Sequence, residues 1–314
     1  MTDSQRFIEG LKQNDINILK TVPKADLHNH YPLGGNKEFI HKQTGKLINP
    51  VNGKLLSMGD MHKWVNENIG DTLQGKEGRI LALDACFQQA AEDNIAVLDI
   101  GEDVWAKDAI FGGNLHEMIK LFYKSRETYA PRTKLSFQIG LSRHCSIKSL
   151  LKWSEEFFEE DCFNSIDLYA DEFAQPIENF KPLYRKAKEK KLILKAHVGE
   201  WGTADDVMRA VEELELDEVQ HGIAAAQSHR VMNFLADHKI RLNICPTSNV
   251  KLSRVDSLKN HPIRKLYDNG VIVTINSDDA LVFGNSVSQE FLDLYSCGLF
   301  TAEELDEIRL NGLK

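Results

Sequence analysis

Short apolar runs rich in β-branched residues recur along the chain, and most are followed by a stretch whose apolar positions have helical spacing. The runs lie at 25–30 (ADLHNH), 95–100 (IAVLDI), 134–141 (KLSFQIGL), 165–171 (SIDLYAD), 191–197 (KLILKAH), 218–222 (EVQHG), 239–245 (KIRLNIC) and 271–276 (VIVTIN). Each predicts a strand. Helical spacing is clearest at Leu115–Tyr129, Ile147–Glu160, Phe180–Lys190, Ala204–Glu213 and Ser228–Asp237. A polar helical stretch precedes the first run and stops at Pro23. Strand and helix in repeated alternation mean parallel strands joined by right-handed crossovers. Eight such units close into an α/β fold, a (β/α)8 TIM-type barrel. An open doubly wound sheet fits less well, because no GxGxxG follows the first strand. No Pro- or Ser-rich linker divides the chain, so residues 1–314 read as one domain.

One connection is too long for a simple crossover. Residues 36–90 form an insertion after the first strand, expected to act as a lid region. Its Asn49-Pro50-Val51-Asn52-Gly53 core predicts a turn between two short strands. Met58, Met61 and Trp64 follow at helical spacing. That stripe either packs the insertion onto the barrel or roofs a ligand.

Composition narrows the partners. Lys and Arg number 38 against 47 Asp and Glu, a net charge of −9, so binding to a nucleic acid polymer is not expected. No run approaches the length of a membrane span, and the polar start lacks a secretory pattern. The five cysteines are scattered and form no CxxC, which reads as reduced thiols and a cytoplasmic protein.

Polar residues collect at the ends of the predicted strands. Alternation places Asp26, His28 and His30 on one face, then Lys195 with His197, Val219 with His221, and Thr274 with Asn276 and Asp278. These are C-terminal strand ends, where barrel enzymes build their sites. The strand rise separates the imidazoles of His28 and His30 by about 6–7 Å, near enough for one metal to bridge. His197 and Asp278 complete a nitrogen and oxygen donor set that suits zinc and leaves a position for water.

The motifs around these positions resemble the adenosine/AMP deaminase family of metal-dependent barrel hydrolases. They read Leu27-His28-Asn29-His30, His197-Val198-Gly199-Glu200, Gln220-His221-Gly222, Cys245-Pro246-Thr247-Ser248-Asn249 and Asn276-Ser277-Asp278-Asp279. The resemblance implies hydrolytic deamination of a 6-aminopurine nucleoside or nucleotide, with release of ammonia. It implies one zinc per chain on His28, His30, His197 and Asp278. His221 is then the partner that orients the metal-bound water and takes its proton, or else a fifth ligand. Glu200 resembles the acid that protonates ring nitrogen N1. Asp279 is expected to bond N7, its alternative being a helix N-cap. The backbone N–H of Ala170 is expected at N3, where the family commonly has glycine. Gly199 is expected to leave room for the base. Cys245 is expected to be a small buried side chain supporting the site.

The chain departs from the family after the first motif. Pro32 stands where the family commonly has an Asp that holds the ribose 5′-hydroxyl. Gly34 and Gly35, followed by Asn36 and Lys37, are expected to offer N–H groups and a cation to a modified 5′ end, as in AMP, dAMP or a 5′-deoxy nucleoside. The alternative is a plain connector to the lid. Lys195 faces inward and calls for an acid partner, with Asp167 or Asp171 in reach. The fourth strand carries no Lys to bridge two metals, which argues for one. Two competing functions are another metal-dependent barrel amidohydrolase and a non-catalytic purine-binding protein. Glu200 with Asp279 argues against the first, and the complete donor set against the second.

Overall fold

The eight apolar runs become eight strands in the computed structural model, which describes residues 1–314: β1 (Lys24–Asp26), β2 (Ile95–Asp103), β3 (Lys134–Ser142), β4 (Ser165–Tyr169), β5 (Ile193–Val198), β6 (Glu218–His221), β7 (Arg241–Ile244) and β8 (Ile272–Ile275). All pair in parallel and in chain order. The seam between β8 and β1 is closed by few groups. Asn29 bridges Asp278, the Asp278 N–H donates to the His28 carbonyl at 3.0 Å, and the Leu27 N–H donates to Asn276 Oδ1 at 2.8 Å. A side-chain amide thus replaces a missing rung. The result is a (β/α)8 barrel, nearly closed.

Helices Leu115–Tyr129, Ile147–Phe158, Lys181–Glu189, Ala204–Leu214 and His229–Asp237 fall where the spacing predicts them. Two helices, Asp3–Lys12 and Ile16–Lys20, precede β1. The last helix, Ala302–Asn311, packs across β8 and β1. No helix is long and apolar enough to cross a membrane.

The barrel interior below the site is polar. The Lys195 ammonium meets Asp99 Oδ2 at 2.5 Å and Glu218 Oε2 at 3.4 Å. Asp99 also accepts from Ser136 and Ser165. The acid partners of Lys195 are therefore Asp99 and Glu218, not Asp167 or Asp171. Their register and the curvature of the sheet bring β2 and β6 carboxylates to the same depth as Lys195, which sequence neighbours alone do not show.

The insertion holds no strand pair. Helices Lys37–Thr44, Met58–Asn68 and Gly75–Glu92 flank an irregular stretch at 45–57. Its backbone groups pair elsewhere: the Val51 N–H donates to Val282 O at 2.8 Å and the Leu55 N–H to Lys251 O at 2.7 Å. Lys251 and Lys54 donate back across the same gap. A turn signal gives no hairpin here because the loops after β7 and β8 take the hydrogen bonds a hairpin needs. Val51, Met61, Val282 and Phe283 form a separate small apolar cluster, against which Leu33, Met58, Trp64 and Trp201 pack. The stripe thus binds the insertion to the barrel and lies beside the loop that carries Glu200.

Candidate active site

Strand β1 ends at Asp26, so His28 and His30 lie past the ladder and strand alternation does not set their directions. The Asp26 carboxylate goes to Ser277 Oγ at 2.5 Å and to Asn29, tying the two sides of the seam together. Alternation also fails at His221. Glu218 and Gln220 point inward, to Lys195 and to the Leu27 carbonyl, which leaves His221 on the outward register. Its φ of +62° turns the ring back into the cleft. Asp278 has φ +58° and Ala170 φ +78°. These left-handed conformations at strand ends cost energy for residues with a Cβ and cluster where side chains converge.

Three imidazoles meet. His197 Nε2 lies 3.0 Å from His28 Nε2 and 3.1 Å from His30 Nε2. Asp278 Oδ1 lies 3.6 Å from His30 Nε2 and 4.0 Å from His28 Nε2. The tautomers of two rings follow from their other nitrogens. His28 Nδ1 faces the Asn243 carbonyl at 2.9 Å and must carry the proton there. His197 Nδ1 faces Asp167 at 3.3 Å and does the same. Both Nε2 atoms therefore face the shared space and can take a cation there; against the effect of burial, Asp167 raises the His197 imidazole. Burial, with the neighbouring His197 and His30, pushes His28 down to about 3, so it is neutral at physiological pH. Burial also lowers His30. Tetrahedral zinc, with its short Zn–N bonds, spaces its ligands by about 3.3 Å, so the three imidazoles fit such an ion, and Asp278 borders them on the side of His28 and His30. Asp167 and Asn243 are the outer partners that commonly orient metal-binding imidazoles.

Glu200 stands just past β5 on a loop held by a carboxylate. Glu172 accepts the N–H groups of Gly199, Glu200 and Trp201, each at 2.8 Å, and of Gly202 at 3.3 Å. The loop then enters helix Ala204–Leu214 through a Thr203–Asp206 capping box. Glu200 itself accepts from Trp201 Nε1 at 2.9 Å and from Asn249 Nδ2 at 3.3 Å. Burial, and then the nearby Asp278 and Glu172, push its carboxyl up to about 8, so it holds a proton at neutral pH. Asp279 is also buried, and burial with Asp278 beside it raises its carboxyl well above the usual range. Its Oδ1 has no partner within the protein. Its side chain makes no N-cap bond to the short helix that follows.

Burial and the surrounding carboxylates keep the Cys245 thiol protonated, as befits a packing role. Gly199 does not leave space for a ligand. Its N–H is taken by Glu172, and a Cβ there would meet Val207 Cγ2 at 2.3 Å. It is glycine because φ is +75° and the helix packs against it. Gly34 and Gly35 form no anion cradle either. The Gly34 N–H donates to the His30 carbonyl at 2.8 Å and the Asn36 N–H to Ala85 O at 2.9 Å. A Cβ on Gly34 would strike the Asn29 side chain, and one on Gly35 would strike Ala85. Close packing, not a ligand, selects both glycines, and Asn36 caps helix Lys37–Thr44.

His261 escaped the motif reading, as did the hold of Asp167 on His197, that of Glu172 on the loop 199–202 and that of Asn249 on His221. The Asp171-Glu172 pair beyond β4 was the visible signal for Glu172, but its four N–H partners come from another strand end.

Comparison with known proteins follows the same lines. The family pattern described as "Adenosine deaminase" matches residues 137–314. A "Putative adenosine/adenine deaminase" of Treponema pallidum is 34% identical over 293 residues, covering 92% of this chain and 98% of its own. An "Adenine deaminase" of Acinetobacter baylyi is 29% identical over 327 residues, covering 96% and 94%. Among solved structures, an amidohydrolase from Burkholderia ambifaria with bound Zn aligns with TM-score 0.79 at 18% identity, over 96% of this chain and 87% of its own. That last likeness speaks to the fold.

Proposed function

This chain belongs to the adenosine deaminase family, enzymes of hydrolytic purine deamination, and we propose that it acts with one zinc ion on an uncharged 6-aminopurine, as the nucleoside or the free base. The observation that carries the reading is the convergence of the Nε2 atoms of His28, His30 and His197, with Asp278 beside them and a carboxyl that burial keeps protonated.

His28, His30, His197 and Asp278 would hold the ion. When bound, the metal supplies a water activated for attack near neutral pH. Everything else falls to the chain. Glu200 holds the proton that ring nitrogen N1 needs as C6 loses aromaticity. Asp279 offers its unpartnered, protonated carboxyl to N7, which can only accept. Ala170 closes the β4 end, with its N–H proposed to face N3. His221 stands by the reacting water, 3.7 Å from Glu200 Oε2 and 4.0 Å from Asp278 Oδ2. The insertion would act as the lid of one deaminase domain, its apolar cluster packed against Trp201 next to Glu200.

A 5′-phosphate lost the support its sequence signal gave. The N–H groups of Gly34 and Asn36 are committed, and the apolar side chain of Leu33 packs on the small cluster beside them. A second likeness favours the uncharged reading: the Treponema and Acinetobacter relatives are named for adenosine or adenine.

The test is ammonia release from adenosine, deoxyadenosine, adenine, AMP and dAMP by zinc-loaded protein, with Glu200→Gln as control. Turnover of adenosine, deoxyadenosine or adenine, lost in the control, is the expected result. Preference for a monophosphate overturns the uncharged assignment, and no turnover of any overturns purine deamination.

A further inference from the structure

We propose that His261, acting through Asn249, decides which nitrogen of His221 carries its proton, and so makes His221 a hydrogen-bond donor to the reacting water and not the base that deprotonates it. The proposal rests on the deaminase reading above and assigns a positioning role inside the same site.

Donors and acceptors run in a chain from one fixed end. His261 lies between two short helical segments, Leu258–Asn260 and Ile263–Asp268, and is buried. The Ile263 backbone N–H donates to His261 Nδ1 at 3.1 Å. A backbone N–H cannot accept, so Nδ1 is bare and the proton of this imidazole sits on Nε2. Burial holds His261 down at about 3, so a second proton is absent at any pH at which the protein works. His261 Nε2 faces Asn249 Oδ1 at 3.2 Å and donates to it. That contact sets the amide of Asn249 one way round, since the flipped amide would oppose two N–H groups. Asn249 Nδ2 then points into the site. It donates to Glu200 Oε1 at 3.3 Å and meets His221 Nδ1 at 3.3 Å. With Nδ1 of His221 accepting, the proton of that ring lies on Nε2. Nε2 is the nitrogen that faces Glu200 and Asp278.

The consequence differs from the expectation drawn from sequence. A His221 with Nε2–H holds the attacking oxygen by one of its lone pairs and fixes its direction toward C6. Asp278, whose Oδ2 lies 4.0 Å from that nitrogen, would then be the acceptor left for a proton of the attacking water. The same amide that orients His221 also steadies Glu200, so one buried imidazole sets both partners of the reaction. A motif-to-structure path leads here too: Asn249 ends the Cys245–Asn249 segment, and that segment's position at the C-terminal end of β7 brings it between His221 and His261.

Long-range 1H–15N correlation spectra of zinc-loaded enzyme labelled at histidine read the tautomer directly, whatever the purine. His221 protonated on Nε2 is the expected result; His221 protonated on Nδ1 overturns the proposal. In His261→Phe the Asn249 amide is free to turn. We expect His221 to populate both tautomers and kcat to fall about 10- to 100-fold with zinc content retained, while KM stays within about threefold. His261→Gln, whose amide N–H reaches the place of Nε2, restores both the spectrum and kcat. Wild-type kcat and an unchanged His221 spectrum in His261→Phe overturn the proposal. Should that variant fail to fold, Asn249→Asp decides: its carboxylate accepts from both rings, and His221 must move its proton to Nδ1. Failure of the deaminase reading looks different, as a correct tautomer in a protein that turns over no purine.

Discussion

His28 and His197 bring their Nε2 atoms within 3.0 Å of each other, each ring held from behind, by the Asn243 carbonyl and by Asp167. With a cation between them they are a ligand pair. Replacing Asp167 by Asn removes the charge that strengthens His197 as a donor. Zinc affinity is expected to fall about 10- to 100-fold, measured by competition with a chromophoric chelator. Removing the metal from the wild-type protein should lower its melting temperature, since a ligand bound only to the native state stabilises it.

Glu200 must be protonated to act. Its carboxyl is raised to about 8 by burial and by Asp278 and Glu172. The acid form is present below that value, so kcat should hold through neutrality and fall as pH rises past about 8. Glu200→Gln keeps the shape and cannot give up a proton. Its kcat is expected to drop by about 10²- to 10⁴-fold, with smaller change in KM. A variant that retains activity would remove Glu200 from the chemistry.

Glu172 gathers four backbone N–H groups of the loop 199–202 on two oxygens. A Gln there replaces one acceptor oxygen with a donor and leaves two N–H groups facing it. The cost is about 1–3 kcal/mol per unsatisfied group. Urea unfolding should report the loss, and kcat should fall with it because the loop sets the position of Glu200.

Ala170 holds a φ of +78° at the end of β4. An alanine pays roughly 1–2 kcal/mol for such a conformation, and glycine does not. Ala170→Gly is expected to gain about 1 kcal/mol in urea unfolding, less the extra chain entropy of glycine, and to keep its activity. Destabilisation would mean that the Cβ packs more usefully than the backbone strains.

Glu290 gives a pH dependence of stability distinct from that of activity. It is buried, accepts the Thr247 N–H and the Asn285 amide, and is raised from 4.5 to about 8, chiefly by burial. Between those values the unfolded chain has lost the proton and the folded one keeps it. Its contribution is thus full below pH 4.5 and declines as pH rises toward 8, by about 1.4 kcal/mol per pH unit. Glu290→Gln should flatten that part of the stability curve. An equal slope in both proteins would show that Glu290 is already ionised when folded.

Periodicity and residue type were enough to place eight strands, their helices and the barrel, because each crossover unit is a local pattern that only one closed arrangement satisfies. The motifs at strand ends likewise picked out His28, His30, His197, Glu200, Asp278 and Asp279, which the fold gathers at one end of the barrel. Single positions were another matter. His221 reaches the cleft through a backbone angle, against the alternation of its strand. Gly34, Gly35 and Gly199 looked like ligand loops and are packed against Asn29, Ala85 and Val207, neighbours that only the fold turns toward them. Lys195 found Asp99, 96 residues away, and the turn at 49–53 gave its hydrogen bonds to loops after β7 and β8. Sequence determines where the chain is buried and which chemistry it carries, because hydrophobic patterning and residue type are local. Tertiary structure alone decides tautomers, ion partners and which N–H groups remain free, because hydrogen bonds and charges are settled by whatever group the fold brings within 3 Å.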